Sequence, residues 1–205
     1  MLVFLGSLIA LGLGYAAGSL SSAVLVCRAF NLPDPREAGS GNPGATNVLR
    51  LGGKKAAALT LAGDVLKGFL PVVVVCLLSP KGVETPYIMA GLGAFIGHLY
   101  PYFFGFKGGK GVATAFGVIL AISPIMALFV AAMWVFVFYK TKISSLSALC
   151  AIAFAPLAAL FVYASTKFFL LILFFCYCLM VRHKENIERL KKGEEKPFDF
   201  SKIAS

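Results

Sequence analysis

Long apolar runs separated by short polar loops organise this chain. The first run extends from about residue 2 to 29 and stops at Pro33-Asp34-Pro35, where two prolines end any helix. Within it Gly14 and Gly18, with Ser21 and Ser22 a turn on, form a small-residue face that predicts close helix packing. Further apolar runs cover 56–78, 86–104, 112–139, 146–164 and 168–181. The 112–139 run is interrupted by Ser123-Pro124. As one helix it would strand Lys140 and Lys142 opposite the other basic loops, whereas two short helices turning at Ser123-Pro124 return them to the same side. Each half would be roughly 16–22 Å long at 1.5 Å per residue, so the pair must be shielded by other helices. The pattern predicts an all-α membrane protein, a bundle of about seven transmembrane helices. All but Lys67, Lys81 and Lys167 of the 19 Lys and Arg residues then fall on one face of the membrane. The positive-inside rule accordingly predicts N-terminus out and C-terminus in.

Composition agrees with this pattern. The chain is 59% hydrophobic and 14% charged over 205 residues, with a mean hydropathy of +0.86, a balance that marks a polytopic membrane protein. The length allows one bundle, so residues 1–195 are expected to form a single membrane domain, with the chain flexible beyond Gly193 and 196–205 a flexible cytoplasmic tail. The net charge of +10 does not point to nucleic acid, because the basic residues sit in loops between spans. Topology and phosphate-bearing ligands explain them better. Cys27, Cys76, Cys150, Cys176 and Cys178 all lie in apolar segments, which predicts free thiols. No basic residue precedes the first apolar run, so a cleaved signal peptide is not expected.

Three constellations interrupt the apolar pattern. The first is Ser40-Gly41-Asn42-Pro43-Gly44-Ala45-Thr46-Asn47 followed by Arg50. With Gly39 it formally matches G-x-G-x-x-G, but no strand precedes it and no βαβ unit follows, so a dinucleotide fold is excluded. Small residues and hydroxyls lead into a short helix whose N-terminus attracts anions, and Arg50 can make a bidentate phosphate contact. The second runs from His98 through Lys107-Gly108-Gly109-Lys110-Gly111 to Thr114. Lysine near hydrocarbon needs an anionic partner, and the glycines let backbone N–H groups approach it. A basic loop that only sets topology would need no glycine. The third places His183 and Asn186 on one helical face, with Ile187 and Leu190, and turns Glu185 and Arg189 outward.

These groups supply anion binders, hydroxyls and amides but almost no carboxylates. Two histidines far apart in sequence and no Asp/Glu cluster argue against a metal site, and glycosidase-type chemistry is excluded for the same reason. Asp64 and Lys67 share a helical face at i, i+3 and read as a structural ion pair inside the membrane. The inventory suits transfer of a group flanked by phosphates.

Taken together, the three motifs resemble those of the bacterial acyl-phosphate:glycerol-3-phosphate acyltransferases, the PlsY family. The likeness is collinear, runs to about Glu195, and includes Asp64-x-x-Lys67-Gly68. It implies a multi-pass enzyme of the bacterial inner membrane, with its active site on the cytoplasmic side and no cofactor. Such an enzyme transfers a fatty acyl group from acyl phosphate to the 1-hydroxyl of glycerol 3-phosphate, in the first step of phospholipid synthesis. Glycerol 3-phosphate, fatty acyl phosphate and membrane lipids are the implied partners, with the soluble enzyme that supplies acyl phosphate a further candidate. Carried over by position, the catalytic residues are Lys110, Ser147, His183 and Asn186. The phosphate-binding set is Ser40, Gly41, Asn42, Gly44, Thr46, Asn47, Arg50, His98, Lys107, Gly108, Gly109, Gly111 and Thr114. The His-x4-Asp motif of other acyltransferases is absent. Two other classes remain: a transporter for phosphate or an organic phosphate, whose site would lie near the bilayer midplane, and a lipid-binding scaffold, which would need the basic tail but no inward His and Asn.

Overall fold

The computed structural model describes residues 1–198. Among them there are helices and no strands, in the order α1 (Leu2–Gly18), α2 (Ser22–Ala29), α3 (Ala45–Leu78), α4 (Thr85–Leu99), α5 (Val112–Ile122), α6 (Pro124–Thr141), α7 (Ser144–Val162), α8 (Thr166–Arg182) and α9 (Lys184–Lys191). A single 3-10 turn, Tyr102–Phe104, follows α4. Two compact units divide the chain at Ser123.

Small residues hold the first unit together. A Cβ added to Gly14 would strike the backbone of Ala90, and one on Gly18 the backbone of Ala94. From the other side, Gly93 lies against Leu11 and Tyr15, and Gly97 against Tyr15 and Ser19. The small face of α1 therefore meets a matching small face on α4, and the two backbones touch along about two turns. The same device joins α3 to α5, where Gly68 abuts the Thr114 carbonyl and Gly117 the Val65 carbonyl. α2 packs on the start of α3 through Ala23, Cys27, Val48 and Ala56, with Val26 and Leu32 covering them. In lipid no hydrophobic force drives helices together, so close backbone approach supplies the attraction.

The helix boundaries follow local chemistry. Ser123 caps α6 by accepting from the Met126 N–H, and Pro124 takes the first helical position. The 112–139 run thus breaks at the expected Ser-Pro. α3 contains a second break: Gly53 has φ 74°, which divides a short helix over 45–52 from the long apolar one. The first run is likewise split, α1 ending before Ser19 and α2 starting at Ser22. The third run ends earlier than the sequence pattern suggests, at Leu99, because Pro101 cannot continue the helix.

In the second unit α7 packs against α6 and against α8. A row of buried alanines (Ala148, Ala151, Ala155, Ala158, Ala159) lines α7, and Phe168, Leu171, Ile172, Phe175 and Leu179 form the buried face of α8. α8 bends by 61° into α9. Large apolar side chains on the outward faces are widely exposed, Leu77 at 80% and Phe161 at 82%, as a lipid-facing surface requires. Four helical segments are long and apolar enough to cross a membrane, five if the bent α8–α9 pair is one of them. α4 and α5 are shorter apolar helices of 15 and 11 residues.

Candidate active site

Asn47 shapes the first polar loop. Its side-chain amide donates to the carbonyls of Pro35 (2.9 Å) and Ala38 (3.0 Å), and its Oδ1 accepts the Ser40 N–H (2.9 Å). Both donors are engaged within the protein, and the residue is buried. Gly39, at φ 65°, has no room for a Cβ because Asn47 Oδ1 occupies that position. Ser40, Gly41 and Arg50 are left exposed, while Asn42, Gly44 and Thr46 are half-buried. Earlier in the loop, Arg36 grips Asp34 (Nε–Oδ1 2.9 Å, Nη2–Oδ2 2.6 Å) and donates from Nη1 to the Phe104 carbonyl at 3.1 Å. The Arg36 hydrogen bond holds the Asp34 carboxyl below its usual range against the opposing effect of burial.

The Arg36 contact fastens this loop to the glycine/lysine segment. Gly108 lies under the carbonyls of His98 and Leu99, so closely that a Cβ would collide with both. Gly109 is buried between His98 Nε2 and the Pro43 carbonyl, which a Cβ would approach to 3.0 Å. Gly111 has φ 93° and lies against the ring of Phe95. The glycines therefore serve backbone packing as well as any ligand, and they leave Lys107 exposed and Lys110 half-buried.

Beneath this segment a buried polar group links three helices and the α1–α2 break. Lys67 Nζ lies 2.8 Å from Asp64 Oδ1 and donates to the Leu20 carbonyl (2.8 Å), which is released where α1 breaks. His98 Nδ1 is 3.6 Å from the same carboxylate oxygen and 3.0 Å from Thr114 Oγ1. Thr114 donates its hydroxyl to the Asp64 carbonyl at 3.0 Å. Sequence spacing identifies the Asp64–Lys67 pair, but the addition of His98 and Thr114 emerges only when α3, α4 and α5 pack.

The second unit carries the remaining residues. His183 closes α8, is 3% exposed, and donates from Nδ1 to the Leu179 carbonyl at 2.8 Å, since a carbonyl can only accept. Asn186 is buried on α9 and donates to Glu195 Oε1 at 2.6 Å. The same carboxylate accepts from Ser145 (2.6 Å) and Arg189 Nε (2.6 Å). Burial alone would raise the Glu195 pKa, but these three donors outweigh it and hold the carboxyl below the ordinary glutamate range. Ser147 is fully buried, and its hydroxyl donates to the Ile143 carbonyl one turn back (2.8 Å).

Glu195 corrects the expectation of a flexible chain beyond Gly193. Gly193, at φ 70°, turns the chain back, so that the Glu194 N–H reaches the Arg189 carbonyl at 2.8 Å. Phe198 then donates its N–H to the Lys142 carbonyl at 2.7 Å. Arg189 correspondingly leans on Glu195, its contact with Glu185 lengthening to 3.9 Å. The expected flexible tail at 196–205 lies outside the described residues from 199 onward. A glycine just past a helix with a glutamate two positions on was the available signal for this clasp. Ser145 and Arg36 had no comparable signal.

Within residues 1–122 the structure thus brings together Pro43, His98, Gly108, Gly109 and Thr114, while Asn47 is turned to its own loop, and within 123–198 it brings Asn186 together with Ser145, Arg189 and Glu195. Among the described residues no three His, Cys, Asp or Glu side chains cluster in a way that could hold a metal ion. All five cysteines are unpaired.

Comparison with known proteins gives a consistent result. A family model described as glycerol-3-phosphate acyltransferase matches residues 8–193. A glycerol-3-phosphate acyltransferase of Neisseria gonorrhoeae (strain NCCP11945) is 51% identical over 188 residues, covering 91% of this chain and 94% of its own. One from Halorhodospira halophila is 51% identical over 185 residues, covering 89% and 92%. Among solved structures, PlsY, an integral membrane glycerol 3-phosphate acyltransferase in its glycerol 3-phosphate form, superposes with a TM-score of 0.90. It is 36% identical, with 96% of this chain and 98% of that one covered.

Proposed function

The chain belongs to the glycerol-3-phosphate acyltransferase family, and from that premise we propose that it acylates the 1-hydroxyl of glycerol 3-phosphate with acyl phosphate as donor. The observation that carries this reading is the extent of the match: residues 8–193 contain all three motifs. The hydroxyl oxygen attacks the acyl carbonyl carbon, the bond from that carbon to the phosphate oxygen breaks, and inorganic phosphate leaves with 1-acyl-glycerol 3-phosphate as product. The hydroxyl proton passes to phosphate, whose second pKa of about 6 makes it a competent acceptor near neutrality.

Each residue has a role that its geometry suits. Arg50, exposed beyond the first loop, and Lys110, half-buried among glycines, take up phosphate charge. Ser40, Gly41 and Lys107 stand exposed on the same two loops as contacts for substrate phosphate, with Asn42, Gly44 and Thr46 beside them. Asn47 acts by holding the backbone of that loop. Asn186 donates to the developing oxyanion, its amide oriented by Glu195, and His183 positions phosphate, its tautomer fixed by the Leu179 carbonyl. Ser147 supports the start of α7. The proposed setting is a single acyltransferase domain, 1–195, with seven transmembrane helices in the bacterial inner membrane. Its N-terminus lies outside, and its C-terminus and active site face the cytoplasm.

The donor is tested by offering the purified enzyme palmitoyl phosphate, palmitoyl-CoA and palmitoyl acyl carrier protein in turn, each with glycerol 3-phosphate. Lysophosphatidic acid should form at a useful rate only with palmitoyl phosphate. Equal or faster reaction with a thioester would overturn the acyl-phosphate assignment.

A further inference from the structure

An intramembrane ion pair explains two of the four buried polar side chains beneath the glycine/lysine segment, but not the other two. Lys67 neutralises Asp64 and satisfies the Leu20 carbonyl, which the α1–α2 break leaves without a helical partner. That arrangement is complete in charge. Adding an imidazole and a hydroxyl to it places two further polar groups in a low-dielectric interior, at a cost unless they are well bonded. His98 is 6% exposed and Thr114 not at all.

Their bonding fixes a proton. Thr114 has one hydroxyl hydrogen, and Oγ1 lies 3.0 Å from the Asp64 carbonyl oxygen, which can only accept. That hydrogen therefore points at the carbonyl. Thr114 Oγ1 must then accept from His98 Nδ1, 3.0 Å away, so Nδ1 carries a hydrogen. The Asp64 carboxylate at 3.6 Å favours the same proton position. The Nε2 edge of the ring is turned to Gly109, the residue before Lys110, at a spot where any side chain would collide with it.

We infer that Asp64 and Thr114 are positioning residues for the acyl-transfer site. They lock the orientation and tautomer of His98, and the His98 ring, set against Gly109, holds the backbone that presents Lys110 to substrate phosphate. This inference rests on the acyltransferase reading of that segment, so its test includes a readout independent of activity. The chain has two histidines. With the affinity tag removed and His183→Asn as background, nitrogen-15 histidine labelling leaves His98 as the one imidazole seen by NMR.

His98 should appear in that background as the Nδ1–H form. Thr114→Val, which keeps shape but removes the acceptor, and the charge-balanced pair Asp64→Asn/Lys67→Met should each shift it toward Nε2–H. In the enzyme with His183 intact, the same changes should raise KM for a phosphate-bearing substrate at least tenfold, affecting kcat less, while the thermal midpoint of Thr114→Val stays within a few degrees of the parent. If the paired change does not fold, Thr114→Val alone decides. An Nε2–H tautomer in the background, or a tautomer shift with unchanged KM, overturns the positioning role. Failure of the parent enzyme to use any acyl donor would instead defeat the acyltransferase reading and leave the tautomer result standing.

Discussion

Two lysines three positions apart, Lys107 and Lys110, differ in what surrounds them. Lys107 is exposed on the segment after the Tyr102–Phe104 turn, whereas Lys110 is half-buried between Gly109 and Gly111, both buried. A charge-assisted contact made away from water is worth about 1.5–3 kcal/mol, so Lys110→Met should lower activity at least tenfold. Lys107→Met should cost clearly less, and the comparison is a steady-state assay of the two variants side by side. Equal, mild losses would mean that both lysines serve topology alone. At this scale the sequence nominates residues without showing what they touch. Asn47 stands in the first motif as a phosphate ligand, but its amide donors are turned to Pro35 and Ala38, because the loop doubles back over the helix start. Thr114 is similarly engaged with Asp64 and His98. A motif nominates a residue, and only packing shows whether it faces the ligand or the scaffold.

Among the elements, α9 depends on a partner that helical periodicity cannot reveal. The periodic pattern puts His183 and Asn186 on the inward face, where both are buried, but Glu195 lies beyond the helix and comes back through the Gly193 turn. Its carboxylate is stabilised as the charged form by Ser145, Arg189 and Asn186. A depressed folded pKa contributes stability above the unfolded value, about 4.3 for glutamate, and that contribution disappears as pH falls through the folded pKa. Glu195→Gln should therefore lower the thermal midpoint at pH 7 by at least about 3 °C, at roughly 1–3 kcal/mol for a charged acceptor. Between pH 7 and acid the gap between variant and parent should narrow, as followed by thermal unfolding in detergent. A constant gap would show that this carboxylate is not the group responsible. Other elements were legible where one residue type dictates geometry. Ser123-Pro124 breaks the long run because proline suits the first turn and serine caps it. The Gly14/Gly18 face announces close packing, but its partner on α4 is set by tertiary pairing. The Gly53 break is a single glycine in a helical context, which local sequence does not distinguish from a tolerated one.

For the whole molecule, hydropathy alone reveals a helical membrane protein, and the order of its apolar segments matches the helices observed. The sidedness of those helices rests on the distribution of Lys and Arg. In a cysteine-free variant, a single cysteine at Lys142 should resist an impermeant thiol reagent added from the periplasmic side, and one at Lys81 should react. Reaction at both positions would mean that α5 and α6 act as one crossing, and the reverse pattern would mean an inverted topology. The central claim is the reaction itself, and phosphate release measures it most directly. Purified protein in detergent, given palmitoyl phosphate, should release inorganic phosphate only when glycerol 3-phosphate is present, with one lysophosphatidic acid formed per phosphate. Phosphate release that ignores glycerol 3-phosphate, or glycerol 3-phosphate uptake by reconstituted vesicles with no acylated product, would contradict the account.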